Sequence, residues 1–392
     1  MTVPYEDREQ TAVKHQVLTR YLSAFVPIVG SWAADITYID CLAGPWESVA
    51  ANLGDTSFAR AVEVLRSTRR VLAERGKFPN MRCLFIEKSP ASFGQLKQYC
   101  DTVLDIEVTP KNWDFASRID DVVRFAKEQQ NSFPFVFIDP TGWEVLQIDL
   151  IAPILSMDPG EVLITLMTSW ITRFLSDETK GFHRILGSDL PRILRLEGEE
   201  QEEEIVRCYA NSVRAAGKFQ YVCTLPIMKP DQDAFHYYMI YGTRHLRGVE
   251  VFKETEKSVI PFMHETRAQA QQRRRYEQSG QSSMFSPTAQ YKEKKFTRFQ
   301  LRNLELAKCQ LRQLLETSEQ ILFDDVWAVV MEYSAVSEND LHEWLREWKT
   351  AGLLQITNTQ NGRRPRKKQE QYLRWCSNQS SPVESKRRID NG

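Results

Sequence analysis

Five short apolar runs, separated by stretches with helical periodicity, constrain the fold of this 392-residue chain more than any other feature. Strand and helix in alternation are typical of a parallel sheet with helices on both faces, because a parallel crossover needs room for a helix. A helix is also predicted over 14–29, ahead of the first run. The runs are ITYIDCL (36–42), RCLFIE (82–87), DIEVTP (105–110), FPFVFID (133–139) and EVLITLM (161–167).

The end of this half departs from the alternation. A helix is predicted over 202–217, and two apolar runs follow, FQYVCTLPIM and FHYYMIYGT, with only the polar turn KPDQDA between them. Two strands with so short a connection are antiparallel. The sequence therefore predicts an α/β, Rossmann-like domain over 1–264 with the seven-stranded layout of class I S-adenosylmethionine methyltransferases. This is a fold-level analogy, and a fold alone does not establish a function.

The remaining third of the chain is more basic. Lys and Arg outnumber Asp and Glu by 22 to 16 over 265–392, which leaves a net charge of −7 for the first 264 residues. We interpret 265–295 as a polar basic linker, with a helical start as one option, and 296–376 as a winged-helix-like domain, with three amphipathic helices, a short strand, the basic wing NTQNGRRPRKK and a last strand. The tail, 377–392, is expected to be disordered. A basic end on an acidic body indicates nucleic acid, with a solvated linker of ordinary charge as the alternative.

Several classes of protein are excluded by what the chain lacks. No run approaches the roughly 20 apolar residues that span a bilayer. The start, MTVPYEDREQ, has no apolar core of the signal-peptide kind, so a cytoplasmic location is expected. The seven cysteines are scattered, odd in number and without a CxxC spacing, which argues against zinc, an iron–sulfur cluster or a disulfide framework. We therefore predict no metal site.

Polar and small residues stand where the first two predicted strands end. In an open parallel sheet, ligands bind beyond the carboxyl ends of the strands, near the point where strand order reverses. Asp40 is therefore expected to receive the amino group of the cofactor's methionine moiety, and the turn through Ala43 and Gly44 to let the backbone approach the cofactor. Glu87 is placed to accept hydrogen bonds from a ribose diol. The alternatives are a glycine needed only for packing and a solvated acid.

Two further strand ends supply candidate residues. After the third run, Asn112 or Asp114 is expected to meet the adenine amino group, with an ordinary polar loop as the alternative. After the fourth run, FIDPTGW contains Asp139, Pro140 and Trp143, and the proline ends the strand and exposes the acid. We expect Asp139 near the methyl-accepting group. Trp143 is predicted either to stack on a planar base or to pack against its own helix.

These motifs resemble those of the three-Cys-motif partner (TcmP) family, which is related to class I methyltransferases. The resemblance covers about residues 11–255. It implies a methyltransferase-like fold and, as a partner, a small radical-SAM-like protein with three cysteines. The motifs are K-H-x-x-L-x-x-Y-L at 14–22, YIDCLAGP at 38–45, FIEK at 85–88, FIDPTGW at 137–143 and YYMIYGTRHLRGVEVFKE at 237–254.

The first turn departs from that family's pattern, Asp-Gly-Phe-Ala-Gly-Pro-Gly, at two of its glycines. Cys41 replaces one glycine, and Trp46 replaces the last, where a side chain would press on the cofactor. If Trp46 points inward it blocks the methionine pocket, and if it points outward the pocket stays open.

Three functions remain open from the sequence. The first is an S-adenosylmethionine-dependent methyltransferase acting on a nucleic acid or nucleotide-like substrate. The second is a non-catalytic nucleic-acid-binding partner or scaffold that retains the fold. The third is a nuclease or hydrolase in which Asp40, Glu87 and Asp139 hold Mg²⁺. Five basic residues of the wing are expected to lie along a phosphate backbone: Arg363, Arg364, Arg366, Lys367 and Lys368.

Overall fold

The computed structural model describes residues 8–45, 48–177, 181–279, 294–358 and 363–376. The chain divides into two compact units. The first is Met1–Leu301 with Glu332–Ala335, and the second is Arg302–Met331 with Val336–Gly392. The division falls after Leu301, inside the helix Lys294–Thr317, and not at the predicted boundaries 264 and 295.

Seven strands form the sheet of the first unit. The five predicted runs each overlap one strand, and the predicted hairpin supplies the last two. Every residue of the first, fourth and fifth strands is buried, as expected of strands covered on both faces. The strands are β1 (Asp35–Asp40), β2 (Asn80–Ile86), β3 (Glu107–Lys111), β4 (Ser132–Ile138), β5 (Glu161–Leu166), β6 (Tyr221–Met228) and β7 (Phe235–Thr243).

The strand order is β3-β2-β1-β4-β5-β7-β6. Strands β1 to β5 pair in parallel, and β7 is antiparallel to both β5 and β6. This is the class I methyltransferase-like layout, so the predicted α/β fold class is confirmed. The order reverses between β1 and β4, and the carboxyl ends of these two strands therefore flank a crevice where ligands bind in such sheets.

Helices connect these strands, and the first of them is fixed to β4. Tyr21 stacks on Phe135 with ring centroids 5.3 Å apart, and Phe25 meets Phe133 edge to face at 5.4 Å. Later residues of this helix thus pack on earlier residues of β4, so its beginning lies toward the carboxyl end of that strand. The helices are α1 (Glu9–Gly30), α2 (Ser57–Glu74), α3 (Pro90–Asp101), α4 (Ile119–Ala126), α5 (Ile148–Leu155), α6 (Thr168–Phe174), α7 (His183–Leu186), α8 (Leu190–Ile193), α9 (Gly198–Gly217) and α10 (Leu246–Ser279).

The stretch predicted as a polar linker begins as part of a helix. α10 continues past the predicted boundary at 264 as far as Ser279. Arg267 in this stretch is only 1% exposed, and it donates to the carbonyl oxygens of Lys229 and Gln232 in the β6–β7 turn. The polar composition suggested a solvated segment. It could not show the burial of Arg267, because the partners lie about 35 residues away in sequence.

Two more arginines of α10 are neutralised within the first unit. Arg273 pairs with Glu9 at the start of α1, and Arg274 pairs with Asp231 in the β6–β7 turn. Part of the basic charge that indicated nucleic acid is therefore used to hold this helix. The rest of the predicted linker, 280–293, lies outside the described residues.

The second unit combines helices with a small antiparallel sheet of order β8-β10-β9. A capping box between Ser337 and Asp340 begins its last helix. The predicted wing tip, 359–362, and the predicted tail, 377–392, lie outside the described residues, and the winged-helix assignment stays a prediction. The elements are α11 (Lys294–Thr317), whose first residues belong to the first unit, β8 (Ile321–Leu322), α12 (Phe323–Met331), α13 (Glu338–Thr350), β9 (Leu354–Ile356) and β10 (Tyr372–Trp375).

Candidate functional site

Asp40 ends β1 and is fully buried. Its Oδ2 accepts hydrogen bonds from Ser57 Oγ at 2.6 Å and from the Tyr38 hydroxyl at 3.5 Å, and its Oδ1 accepts from the Leu42 N–H at 3.3 Å. Burial raises the pKa of the carboxyl to about 7, although the Ser57 hydrogen bond opposes the shift. The carboxyl therefore holds the turn and the beginning of α2. Its contact with a cofactor amino group stays a prediction.

The turn after β1 lies against the end of β2. The Ala43 N–H donates to the Ile86 carbonyl oxygen at 2.7 Å. A Cβ at Gly44 would overlap Glu87 Oε2, so a larger residue at this position would displace the carboxylate from the turn. Glu87 Oε1 accepts from the Ser89 N–H at 2.6 Å, whereas no donor among the described residues reaches Oε2. One carboxylate oxygen beside Gly44 is therefore available to a ligand hydroxyl.

Asn112 and Asp114 follow β3 and contact the turn that begins at Glu87. The Asn112 Nδ2 donates to the carbonyl oxygens of Glu87 and Lys88 at 2.8 and 3.1 Å, so this amide nitrogen holds the turn between β2 and α3. Asp114 accepts from Lys88 Nζ at 2.9 Å, with the two side chains 44% and 72% exposed. An ion pair this exposed is weak, and a ligand can compete for the carboxylate.

Asp139 stands just beyond β4, on the other side of the crevice from Asp40. Its Oδ2 accepts from Lys14 Nζ of α1 at 2.5 Å, and the two side chains are only 18% and 16% exposed. Pro140 beside it is buried. The negative charge of Asp139 contributes to the raised pKa of Asp40. Asp139 is thus an ion-paired, largely buried acid rather than the exposed acid that the Asp-Pro pair suggested.

Trp143 packs inside an aromatic cluster and is only 7% exposed. Its ring stacks on Trp170 at 6.5 Å between centroids and lies 5.0 Å from Phe182. Phe174 extends the cluster, 4.8 Å from Trp170. The flat surface that was expected to receive a planar base is therefore covered by rings of the protein itself, which come from α6 and from Phe182 rather than from the helix that directly follows Trp143.

Sequence reasoning gave no role to two residues of α1, Lys14 and His15. Lys14 supplies the cation that neutralises Asp139. His15 is 7% exposed, and its burial, together with the positive charges of Lys14 and Arg60, lowers the pKa of the imidazole to about 3. The K-H pair of the first motif was the available signal. No local pattern places it at the end of β4, since only the packing of α1 brings it there.

The segment between the first turn and α2 is anchored by Asp55, which accepts hydrogen bonds from Arg8 at 2.7 Å, from the Val49 N–H at 3.0 Å and from Ser48 Oγ. Trp46 and the residue after it, 47, lie outside the described residues. Both alternatives for the methionine pocket therefore stay open.

The five basic residues of the wing differ in their surroundings. Lys367 Nζ lies 3.7 Å from the centroid of the Trp327 ring and 3.8 Å from a Glu338 carboxylate oxygen, and its side chain is 21% exposed. Lys368 is exposed, and its backbone N–H donates to Asp324 at 3.1 Å. The other three are exposed to solvent: Arg363, Arg364 and Arg366.

Two findings concern the described part of the chain as a whole. Within it, no group of three or more His, Cys, Asp or Glu side chains is arranged to hold a metal ion. None of its helices combines the length and the apolar character needed to cross a membrane.

Comparison with known proteins gives no family for this chain. No protein-family model matches it, and no curated protein matches it. The class I methyltransferase-like fold therefore rests on the strand order of the sheet itself.

Solved structures with some likeness nevertheless exist. A Legionella pneumophila protein of family DUF519 is 11% identical with a TM-score of 0.35, and the match covers 60% of this chain and 85% of that one. A putative methyltransferase from Thermobifida fusca is 11% identical with a TM-score of 0.32, covering 62% and 83%. Loganic acid methyltransferase with SAH is 9% identical with a TM-score of 0.30, covering 66% and 83%. Similarity this low carries no argument about function.

Proposed function

We propose that this protein is an S-adenosylmethionine-dependent methyltransferase that acts on a nucleic acid or nucleotide-like substrate. The observation that carries the proposal is the Glu87 carboxylate against Gly44, at the carboxyl ends of β1 and β2 in a sheet of class I methyltransferase order. A carboxylate in this place accepts hydrogen bonds from the ribose hydroxyls of a nucleoside cofactor. Glu87 Oε2 is an acceptor without a donor among the described residues, which fits that role.

Asp139 is proposed to act on the acceptor side of the crevice. Methyl transfer by in-line displacement depends chiefly on positioning. Lys14 holds Asp139 Oδ2, and no donor among the described residues reaches Oδ1. This second oxygen is proposed to orient the accepting group by a hydrogen bond and to stabilise the positive charge that develops on that group. Membership of the TcmP family, and a radical-SAM-like three-Cys-motif protein as partner, are part of the proposal and are supported by the sequence motifs.

Calorimetric titration with S-adenosylhomocysteine tests the cofactor site without knowledge of the acceptor. We expect binding at micromolar strength. Glu87→Gln should weaken it at least tenfold, on the order of 1.4 kcal/mol, because the charged acceptor of the ribose hydroxyls is lost. Asp101→Asn is the matched control, since Asp101 is an exposed acid of α3 whose one ion-pair partner in the described part of the chain is Lys97. It should leave the affinity unchanged. No detectable heat with the intact protein would exclude the enzyme proposal.

The alternative function is a non-catalytic nucleic-acid-binding partner that retains the fold as a scaffold. Two observations favour it: the carboxyl of Asp40 is enclosed by internal donors, and Trp143 is covered by its own aromatic cluster. Trp46→Gly distinguishes the two functions. If Trp46 blocks the methionine pocket, this substitution should create or strengthen S-adenosylhomocysteine binding, and if it points outward the affinity should barely change.

A further inference from the structure

The exposed basic charge of the second unit is concentrated in the described part of the wing. Arg363, Arg364 and Arg366 are exposed, and none of them pairs with a carboxylate among the described residues. Arg364 has one contact, a long hydrogen bond of 3.4 Å to the Asn339 side chain. Three guanidinium groups within four positions repel one another unless an anion lies against them. A polyanion such as a nucleic acid backbone supplies that charge.

Helix α13 has the opposite character. It contains four acids and only two bases, Arg346 and Lys349. Of the acids, Glu343 and Glu347 are exposed. Glu343 pairs with Arg346 at 3.4 Å, and Glu347 pairs with Lys308 of α11 at 2.7 Å. The two exposed acids of α13 therefore partly neutralise the bases beside them.

This charge pattern conflicts with the usual use of a helix pair in DNA recognition. In a helix-turn-helix the second helix enters the major groove, and α13 is the second helix of the pair that begins with α12. A groove is lined by phosphates, so a helix whose acids outnumber its bases by four to two is disfavoured there. Base reading also depends mostly on Arg, Lys, Asn or Gln directed at base edges.

We propose that the second unit binds a double-stranded nucleic acid through its sugar-phosphate backbone alone, with Arg363, Arg364 and Arg366 as the contacts and α13 outside the groove. This inference depends on the nucleic-acid binding included in the proposed function, and it names how that binding is achieved. Phosphate contacts position a protein but carry no sequence information. The second unit is therefore a sequence-independent tether, and any choice of target falls to the first unit or to a partner.

The wing residues do not contribute equally. Lys367 is held over the Trp327 ring and close to Glu338, so moving it to a phosphate would cost these contacts. The three arginines have no such ties to acids. Each phosphate that they neutralise on a duplex contributes about 0.9 to the slope of log affinity against log salt, so the three together contribute about 2.7.

Fluorescence anisotropy with the full-length chain tests the inference. The probes are mixed-sequence, A·T-only and G·C-only duplex DNA and a mixed-sequence duplex RNA, titrated from 50 to 200 mM salt. We expect affinities for the three DNA duplexes to agree within about threefold. The RNA arm shows whether the backbone is DNA or RNA.

Two matched double variants test the contacts. Arg363→Gln with Arg364→Gln should lower the salt slope by about 1.8, because two phosphate contacts are lost. Lys367→Gln with Lys368→Gln removes the same charge and should lower it by less than about 1. Equal effects of the two pairs, or none from the arginine pair, would overturn the assignment to the arginines.

A third pair examines α13 directly. Glu343→Gln with Glu347→Gln should leave binding unchanged or make it severalfold tighter, because acids that face phosphates are removed. If α13 reads bases, with a glutamate accepting from cytosine N4, this pair will weaken binding to the G·C duplex selectively. That result, or a more than tenfold preference among the DNA duplexes, would contradict the inference while leaving nucleic-acid binding intact. No binding to any duplex would exclude both, and the titration with S-adenosylhomocysteine would still report on the methyltransferase proposal.

Discussion

Replacing Asp40 by Asn should make the protein more stable at neutral and alkaline pH. The folded pKa of this buried carboxyl is about 7, against a model-peptide value of 3.8. A folded pKa above the unfolded one means that the folded state retains its proton while the unfolded state releases it. The stability that Asp40 contributes is therefore complete below pH 3.8 and is lost as the pH rises through 7. A shift of about three pKa units corresponds to about 4 kcal/mol.

Urea unfolding of wild type and Asp40→Asn between pH 4.5 and 8.5, followed by tryptophan fluorescence, measures this difference. The free energy of unfolding of the variant minus that of the wild type should rise by about 1.4 kcal/mol per pH unit below pH 7 and level off above it. When the comparison is repeated in a Ser57→Ala background, the rise should continue to higher pH. The Ser57 hydrogen bond favours the ionised carboxylate, so its loss raises the pKa of Asp40 further. The exposed control Asp101→Asn should show no such trend. A difference that stays constant, or that falls with rising pH, would refute the burial argument.

Two further predictions concern buried groups near α1. His15→Gln should remove the stability that is lost when this buried imidazole is protonated: the folded pKa of His15 is lowered to about 3, so its contribution is present above pH 6.5 and is lost as the pH falls toward 3, and urea unfolding at pH 4 and 6 measures the difference between variant and wild type. Tyr21→Phe should cost about 1.5 to 3 kcal/mol, because the buried Glu161 loses the hydroxyl that donates to it at 2.5 Å; the same substitution at the exposed Tyr276 is the control and should cost under about 0.5 kcal/mol, and equal effects would contradict the role of the hydroxyl.

The effects of Asp40 and His15 on stability have opposite signs over the same pH range. Between pH 4 and 6.5, falling pH favours the folded state through Asp40 and disfavours it through His15. The wild-type profile should therefore look flatter than either variant's, and the two effects become visible only when one group is removed.

The strands were predictable because each is a continuous apolar run between polar connections. The parallel order of β1 to β5 and the antiparallel hairpin followed from the lengths of the connections, and with them came the edge of the sheet where Asp40, Glu87 and Asp139 stand. These conclusions depend only on local chain length and periodicity, which a sequence contains in full.

The surroundings of those residues were not predictable in the same way. Asp-Pro at the end of β4 suggested an exposed acid, but Lys14, 125 residues earlier, neutralises it. A polar stretch after 264 suggested a free linker, but Arg267 is buried against the carbonyl oxygens of a turn about 35 residues away. In both cases the partner is distant in sequence, and composition contains no information about such pairs.

The sequence by itself determined the fold class, the strand ends that face the crevice and the charge of the two halves of the chain. Only the tertiary structure decided which of the conspicuous residues remain available to a ligand. Trp143 and the carboxyl of Asp40 are enclosed, whereas Glu87 Oε2 and the arginines of the wing have no acidic or donor partners among the described residues. The physical reason is that availability is a property of the neighbours that packing brings to each polar group, and most of those neighbours come from elsewhere in the chain.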